Sequence, residues 1–171
     1  MKRKIYILLA ICIGIGLFLT KHYTMLLDQK DSAIVVNKQY TYNEDYQDKR
    51  KLSRAVDNIF IGEVVKKNGN KEYTGEPNTQ FSIRITQNIK GALLGDIIVN
   101  QLGGYYKENG KLYLLSYEKD HLLKEGQMYL FAVSSTKKDY YTMLPKYGHT
   151  PLDNEKEKLN LIDQFRKVME Q

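Results

Sequence analysis

This 171-residue chain predicts a mainly β domain: a small closed or nearly closed barrel of five to six strands, one helix packed outside it, and a transmembrane helix ahead of it. Three observations carry that expectation. An apolar run fills Ile5 to Leu19. From Ala55 onward, short β-branched segments alternate with glycine-bearing turns. At the C-terminus the apolar residues change to helical spacing.

Lys2, Arg3 and Lys4 precede the apolar run, and Thr20 and Lys21 close it. A basic tip before such a stretch directs a chain to a membrane and keeps the positive end in the cytoplasm. The run would make a helix of about 22 Å, somewhat short of a hydrocarbon core of about 30 Å. Lys4 and Lys21 can snorkel to the two surfaces. No small-x-small cleavage site follows Leu19, and Ile11 occupies the position where a lipoprotein signal ending at Cys12 needs a small residue. Residues 1–21 therefore read as an uncleaved signal anchor, with the membrane engaged through residues 5–20. A cleaved signal peptide and a secreted product form the alternative.

The formal net charge is +6, but Lys2, Arg3, Lys4 and Lys21 supply four of the basic residues and no acid lies among them. Beyond them the balance is only +2. The basic character thus reflects topology, and nucleic acid is not an expected partner. Cys12 is the single cysteine, so no intramolecular disulfide forms and the outer domain depends on its apolar core.

Residues 22–54 read as a stalk or lead-in. Ala33 to Val36 could form a short strand, and Asp45 with Lys49 suits one exposed helical turn. Tyr40, Tyr42 and Tyr46 are the only large rings in the polar stretch Asn37 to Lys51.

The domain proper spans 55–171. Ile59 to Lys66 is β-branched and apolar, and runs into Asn68-Gly69, a tight-turn signal. Gln80 to Ile89 alternates, with Phe81, Ile83, Ile85 and Ile89 on one face, as in a half-buried strand. Asp96 to Leu102 follows the Lys90-Gly91 break. Tyr105–Glu108 and Lys111–Tyr117 flank Asn109-Gly110 as a second hairpin. Gln127 to Ser134 is apolar on both faces, the pattern of a strand covered on both sides. Tyr140 to Leu144 is the last strand, ended by Pro145. Asn154 and Glu157 then form a capping box, and Leu161, Ile162, Phe165, Val168 and Met169 make an apolar stripe. That stripe must be buried against the strands, which a barrel with a helix alongside satisfies. An open sandwich is the other architecture that would do so.

The segments Ala55 to Val65 (AVDNIFIGEVV) and Phe81 to Gly91 (FSIRITQNIKG) resemble the opening strands of netrin-like domains. That family includes the tissue inhibitors of metalloproteinases and many secreted or membrane-anchored bacterial proteins. The likeness continues through Asp96 to Gly104, Glu125 to Phe131 and the terminal helix. It implies an OB-type barrel with helices alongside. The animal inhibitors chelate a protease zinc through a free N-terminal cysteine held by disulfides. Cys12 lies inside the apolar run with no second cysteine, so that device has no counterpart and no functional residue transfers.

Catalytic signals are sparse. His22, His121 and His149 fall into no HExxH or HxH arrangement, and the serines lack a GxSxG elbow. Gly103-Gly104 lacks a phosphate-binding pattern and suits a tight barrel corner instead. No catalytic residue, metal ligand or cofactor site is expected. The compositional oddity is 14 tyrosines against five phenylalanines and no tryptophan. Tyr105, Tyr106, Tyr113 and Tyr117 gather around the second hairpin, where flat rings with polar tips suit sugar stacking or a protein partner. The plain alternative is structural, since strands favour half-buried tyrosine. The resulting expectation is a non-enzymatic, membrane-anchored extracytoplasmic module that engages a protein or a cell-envelope glycan through its barrel face. An extracellular hydrolase with dispersed residues and a protease inhibitor acting through a loop are the alternatives.

Overall fold

The computed structural model describes residues 32–73, 75–136 and 140–170. The expected anchor, with Cys12 and His22, lies outside the described residues. No described helix is long and apolar enough to cross a membrane. The chain divides into two compact units, one of Val35–Tyr106 with Leu114–Gln171, the other of Met1–Ile34 with Lys107–Tyr113. In the second unit the described residues include a hairpin tip, where Asn109 and Gly110 take φ of 49° and 75°. That is the tight turn expected at this dipeptide.

The elements in chain order are β1 (Ile34–Lys38), α1 (Lys49–Ala55), β2 (Asn58–Tyr73), β3 (Glu76–Lys90), β4 (Asp96–Leu102) and β5 (Gly104–Glu108). They continue with β6 (Lys111–Tyr117), β7 (Met128–Ser135), β8 (Tyr141–Met143), β9 (His149–Pro151) and α2 (Glu155–Met169). A mainly β chain with a C-terminal helix is therefore borne out. Six strands lie in the order β2-β3-β4-β8-β7-β9, and β2 also pairs with β7. The pairings thus run in a closed ring through β2, β3, β4, β8 and β7, leaving β9 as an extra strand on β7. Within the ring β4 and β8 are parallel, while the other neighbours are antiparallel. A separate three-stranded sheet has the order β1-β6-β5.

Closing a ring this small requires strongly bent strands, and bulges provide the bend. Asn68-Gly69 is where the structure departs from expectation. These residues lie inside β2, which runs on to Tyr73, instead of turning the chain. The β2–β3 register shifts between Lys67 and Gly69, leaving Asn68 unopposed. Gly69 supplies the positive φ of 111° that this extra residue needs. The Asn68 amide then donates to Ser82 Oγ at 2.9 Å. The same local signal serves a turn or a bulge, and pairing with β3 decides between them.

Alternation along β2 and β7 sorts their side chains into two layers. Phe60, Val64, Phe81, Ile83, Val99, Phe131 and Val133 form one core cluster. Ile59, Ile61, Leu130 and Ala132 form a second with Leu52 of α1 and Ile162 and Phe165 of α2. The apolar character of β7 on both faces follows from having a cluster on each side. Ile89, expected beside Phe81 and Ile83, packs against the second cluster instead. A bulge in β3 at Thr86, which is left unopposed between Ile85 and Gln87, reverses the faces beyond it, and Ile89 is itself unopposed at a second shift.

Residues 35–54 of the expected lead-in contribute β1, α1 and the buried Leu52. The helix α1 was not foreseen, since its sequence KRKLSRA has too few apolar positions to show a period. Asp48 caps it by accepting from Arg50 N–H at 2.8 Å. At its other end Lys90 Nζ donates to the carbonyls of Ser53 and Val56, where a cation suits the exposed carbonyls of a helix terminus. The capping box of α2 forms with one offset. Asn154 accepts from Glu157 N–H at 2.9 Å, but Glu157 accepts in return from Asp153 N–H.

Candidate functional site

The larger unit contains an open cavity of about 790 Å³, within the range of small-molecule sites. Its wall takes residues from β1, the end of β4, β5, β6, the β6–β7 loop and β9. Apolar side chains such as Leu102, Leu114, Leu122 and Pro151 line it alongside Tyr105, Tyr129, Asp120 and His149.

The β6–β7 loop is held in shape by hydrogen bonds. Ser116 Oγ donates to Asp120 O at 2.8 Å, and Asp120 N–H donates to Tyr117 O at 2.8 Å. Gln101, buried on β4, donates to His121 O and accepts from Leu123 N–H. The Asp120 carboxylate accepts from Lys146 N–H at 3.1 Å. His149 sits opposite it, with Nε2 at 3.5 Å from Asp120 Oδ1 and side chains only 9% and 13% exposed. The His149 ring meets Tyr129 edge-on at 5.5 Å. Its Nδ1 is enclosed and has no hydrogen-bond partner. Burial pushes the imidazole below its usual pKa, and the Asp120 charge opposes that shift without cancelling it. The ring is thus neutral at neutral pH. Nothing in the sequence marks Asp120 and His149 as a pair, because β9 brings them together only after docking on β7.

The four hairpin tyrosines have different fates. Tyr105 is half-buried and lines the cavity, with Lys67 Nζ 5.0 Å from its ring centroid. Tyr106 is also half-buried. Tyr113, half-buried, belongs to the smaller unit. Tyr117 is buried, and its hydroxyl donates to the Glu76 carboxylate. Burial, with Glu76 beside it, pushes this phenol up to about 12. It is an internal tie and offers no ring to a partner.

A second aromatic group joins the lead-in residues to the domain. Tyr42 meets Tyr40 at 5.0 Å and Tyr147 at 5.1 Å, and Tyr46 packs at 6.0 Å from Tyr42. The Tyr42 hydroxyl donates to Pro145 O at 3.0 Å, and burial raises its pKa well above the ordinary phenol value. His121 is exposed on the loop at the cavity. Among the described residues, no three His, Cys, Asp or Glu side chains gather as they would around a metal ion.

No protein-family model matches the chain, and no curated protein matches it either.

Proposed function

We propose that the chain is a non-enzymatic, membrane-anchored extracytoplasmic module whose barrel-type domain binds a protein or a cell-envelope glycan. The single observation behind this reading is the cavity of about 790 Å³, with an aromatic ring at its wall and a mixed apolar and polar lining. The closed ring, with its parallel β4–β8 contact, supports an OB-type architecture. It also agrees with the netrin-like resemblance of residues 55–171. The basic tip and apolar run at the N-terminus support a membrane anchor with the domain on the extracytoplasmic side.

A hydrolase is the second reading, favoured by the His149–Asp120 pair in the cavity wall. The arrangement suits such chemistry poorly. A general base needs one ring nitrogen within reach of substrate, yet Nε2 faces Asp120 and Nδ1 is enclosed. The nearby Ser116 hydroxyl is committed to Asp120 O.

The test is photo-crosslinking in living cells, with the reactive group in place of Tyr105 and, as control, in place of the exposed Leu159 on α2. A product specific to position 105 is expected. The same products from both positions would refute binding at the cavity. Turnover of an envelope substrate that His149→Ala abolishes would replace the module with the enzyme.

A further inference from the structure

We propose that the cavity takes an anionic glycan, a saccharide bearing carboxylate or phosphate groups. The inference rests on the binding-module reading and specifies its ligand. Its basis is an imbalance between the hydrogen-bonding groups the cavity has used internally and those it has left.

Most of the acceptors are engaged, the second oxygen of Glu118 and the enclosed His149 Nδ1 being the exceptions. Asn37 Oδ1 accepts from Lys119 N–H at 2.7 Å, and Gln127 Oε1 accepts from the Tyr129 hydroxyl at 2.9 Å. Glu118 accepts from Tyr40 N–H at 2.7 Å. Asp120 accepts from Lys146 N–H and the Gln101 amide, and its other oxygen faces His149. The donors remain. Neither the Asn37 nor the Gln127 side-chain amide N–H₂ has an acceptor among the described residues. Lys119, Lys124 and Lys146 also line the cavity, and none is ion-paired among the described residues. Lys146 Nζ instead lies over the Tyr147 ring at 5.2 Å.

The three lysines of the lining outnumber its two carboxylates, Glu118 and Asp120, and with two amide N–H₂ groups beside an apolar wall they suit a ligand rich in acceptors and carrying negative charge. A peptide meets this set badly, since it brings a backbone N–H for nearly every carbonyl and those donors would find few acceptors. A sugar hydroxyl can accept where no acceptor is offered. The Tyr105 ring and the leucines provide an apolar surface for the C–H faces of a pyranose.

The test is isothermal titration of the full chain in detergent with five probes: trigalacturonic acid, a phosphorylated maltotriose, neutral maltotriose, an acidic tripeptide and inorganic phosphate. Binding of one or both anionic glycan probes is expected, weakened by salt and tighter than that of the other three. A variant with Lys119, Lys124 and Lys146 all changed to Gln should bind that probe at least about tenfold more weakly. Its unfolding transition should be unchanged, because the three side chains are exposed. Failure of both glycan probes to bind, equal binding of maltotriose, tighter binding of the tripeptide, or an unaffected triple variant would each overturn the proposal. Binding of inorganic phosphate as tight as that of the glycans would overturn it as well, reducing the site to a simple anion site. If these fail while the Tyr105 crosslink still traps a specific protein, the module reading stands and only the glycan is wrong. If the crosslink is also unspecific, both fall.

Discussion

Replacing Tyr117 by Phe removes one hydroxyl from a three-residue tie. The phenol donates to Glu76 on β3, and Lys38 Nζ on β1 donates to the same carboxylate. The displacement of the phenol from 10.0 to about 12 equates to about 2.7 kcal/mol at face value. Burial is the first cause of that displacement, and burial alone stabilises nothing. Glu76 is also 38% exposed, so water screens the pair. A cost of about 1–2 kcal/mol remains for Tyr117→Phe, as for a hydrogen bond to a charged group. The pH dependence carries two signs. The raised phenol gives a contribution complete below its ordinary value of 10.0 and lost as pH rises through about 12. Glu76 is held below its ordinary 4.5, first by the Lys38 bond and then by the Tyr117 bond. Its contribution is therefore present above 4.5 and lost as pH falls through the lower folded value. Urea unfolding of wild type, Tyr117→Phe, Glu76→Gln and the double variant at neutral pH should give a coupling of about 1 kcal/mol. Single effects that add within about 0.3 kcal/mol would refute the tie.

Two further outcomes follow from the same structure. Gly103 has φ of +96°, and a Cβ there would lie 2.5 Å from Leu115 O, so Gly103→Ala should cost about 2 kcal/mol or more in urea unfolding; a loss under about 0.5 kcal/mol would refute that close approach. His149, held below its ordinary 6.5 by burial, stabilises the fold fully above 6.5, and that part is lost as pH falls through the folded value. His149→Gln should remove this component from the pH profile of the unfolding midpoint, and parallel profiles for wild type and variant would contradict a buried neutral imidazole.

Much of the architecture was legible because it rests on local periods. The alternation of Phe81 and Ile83, the doubly apolar Met128–Ser135 and the stripe at Ile162 and Phe165 each appear within one segment. Each is buried as its period requires. The Asn109-Gly110 turn is local in the same way. Less of the candidate site could be read. Of the four hairpin tyrosines only Tyr105 lines the cavity, because a tyrosine in a strand carries no mark of which hydroxyl will meet a carboxylate. Tyr117 found Glu76, which is distant in sequence.

The β-rich body, the C-terminal helix and the apolar faces could be read from residue order, since these follow from the spacing of side chains along one element. Three features came from tertiary packing: Asn68-Gly69 bends a strand, Lys90 caps α1, and Asp120 meets His149 in the cavity wall. Each depends on what a second, remote segment places alongside. Pairing between distant strands sets that placement, and no local pattern encodes it.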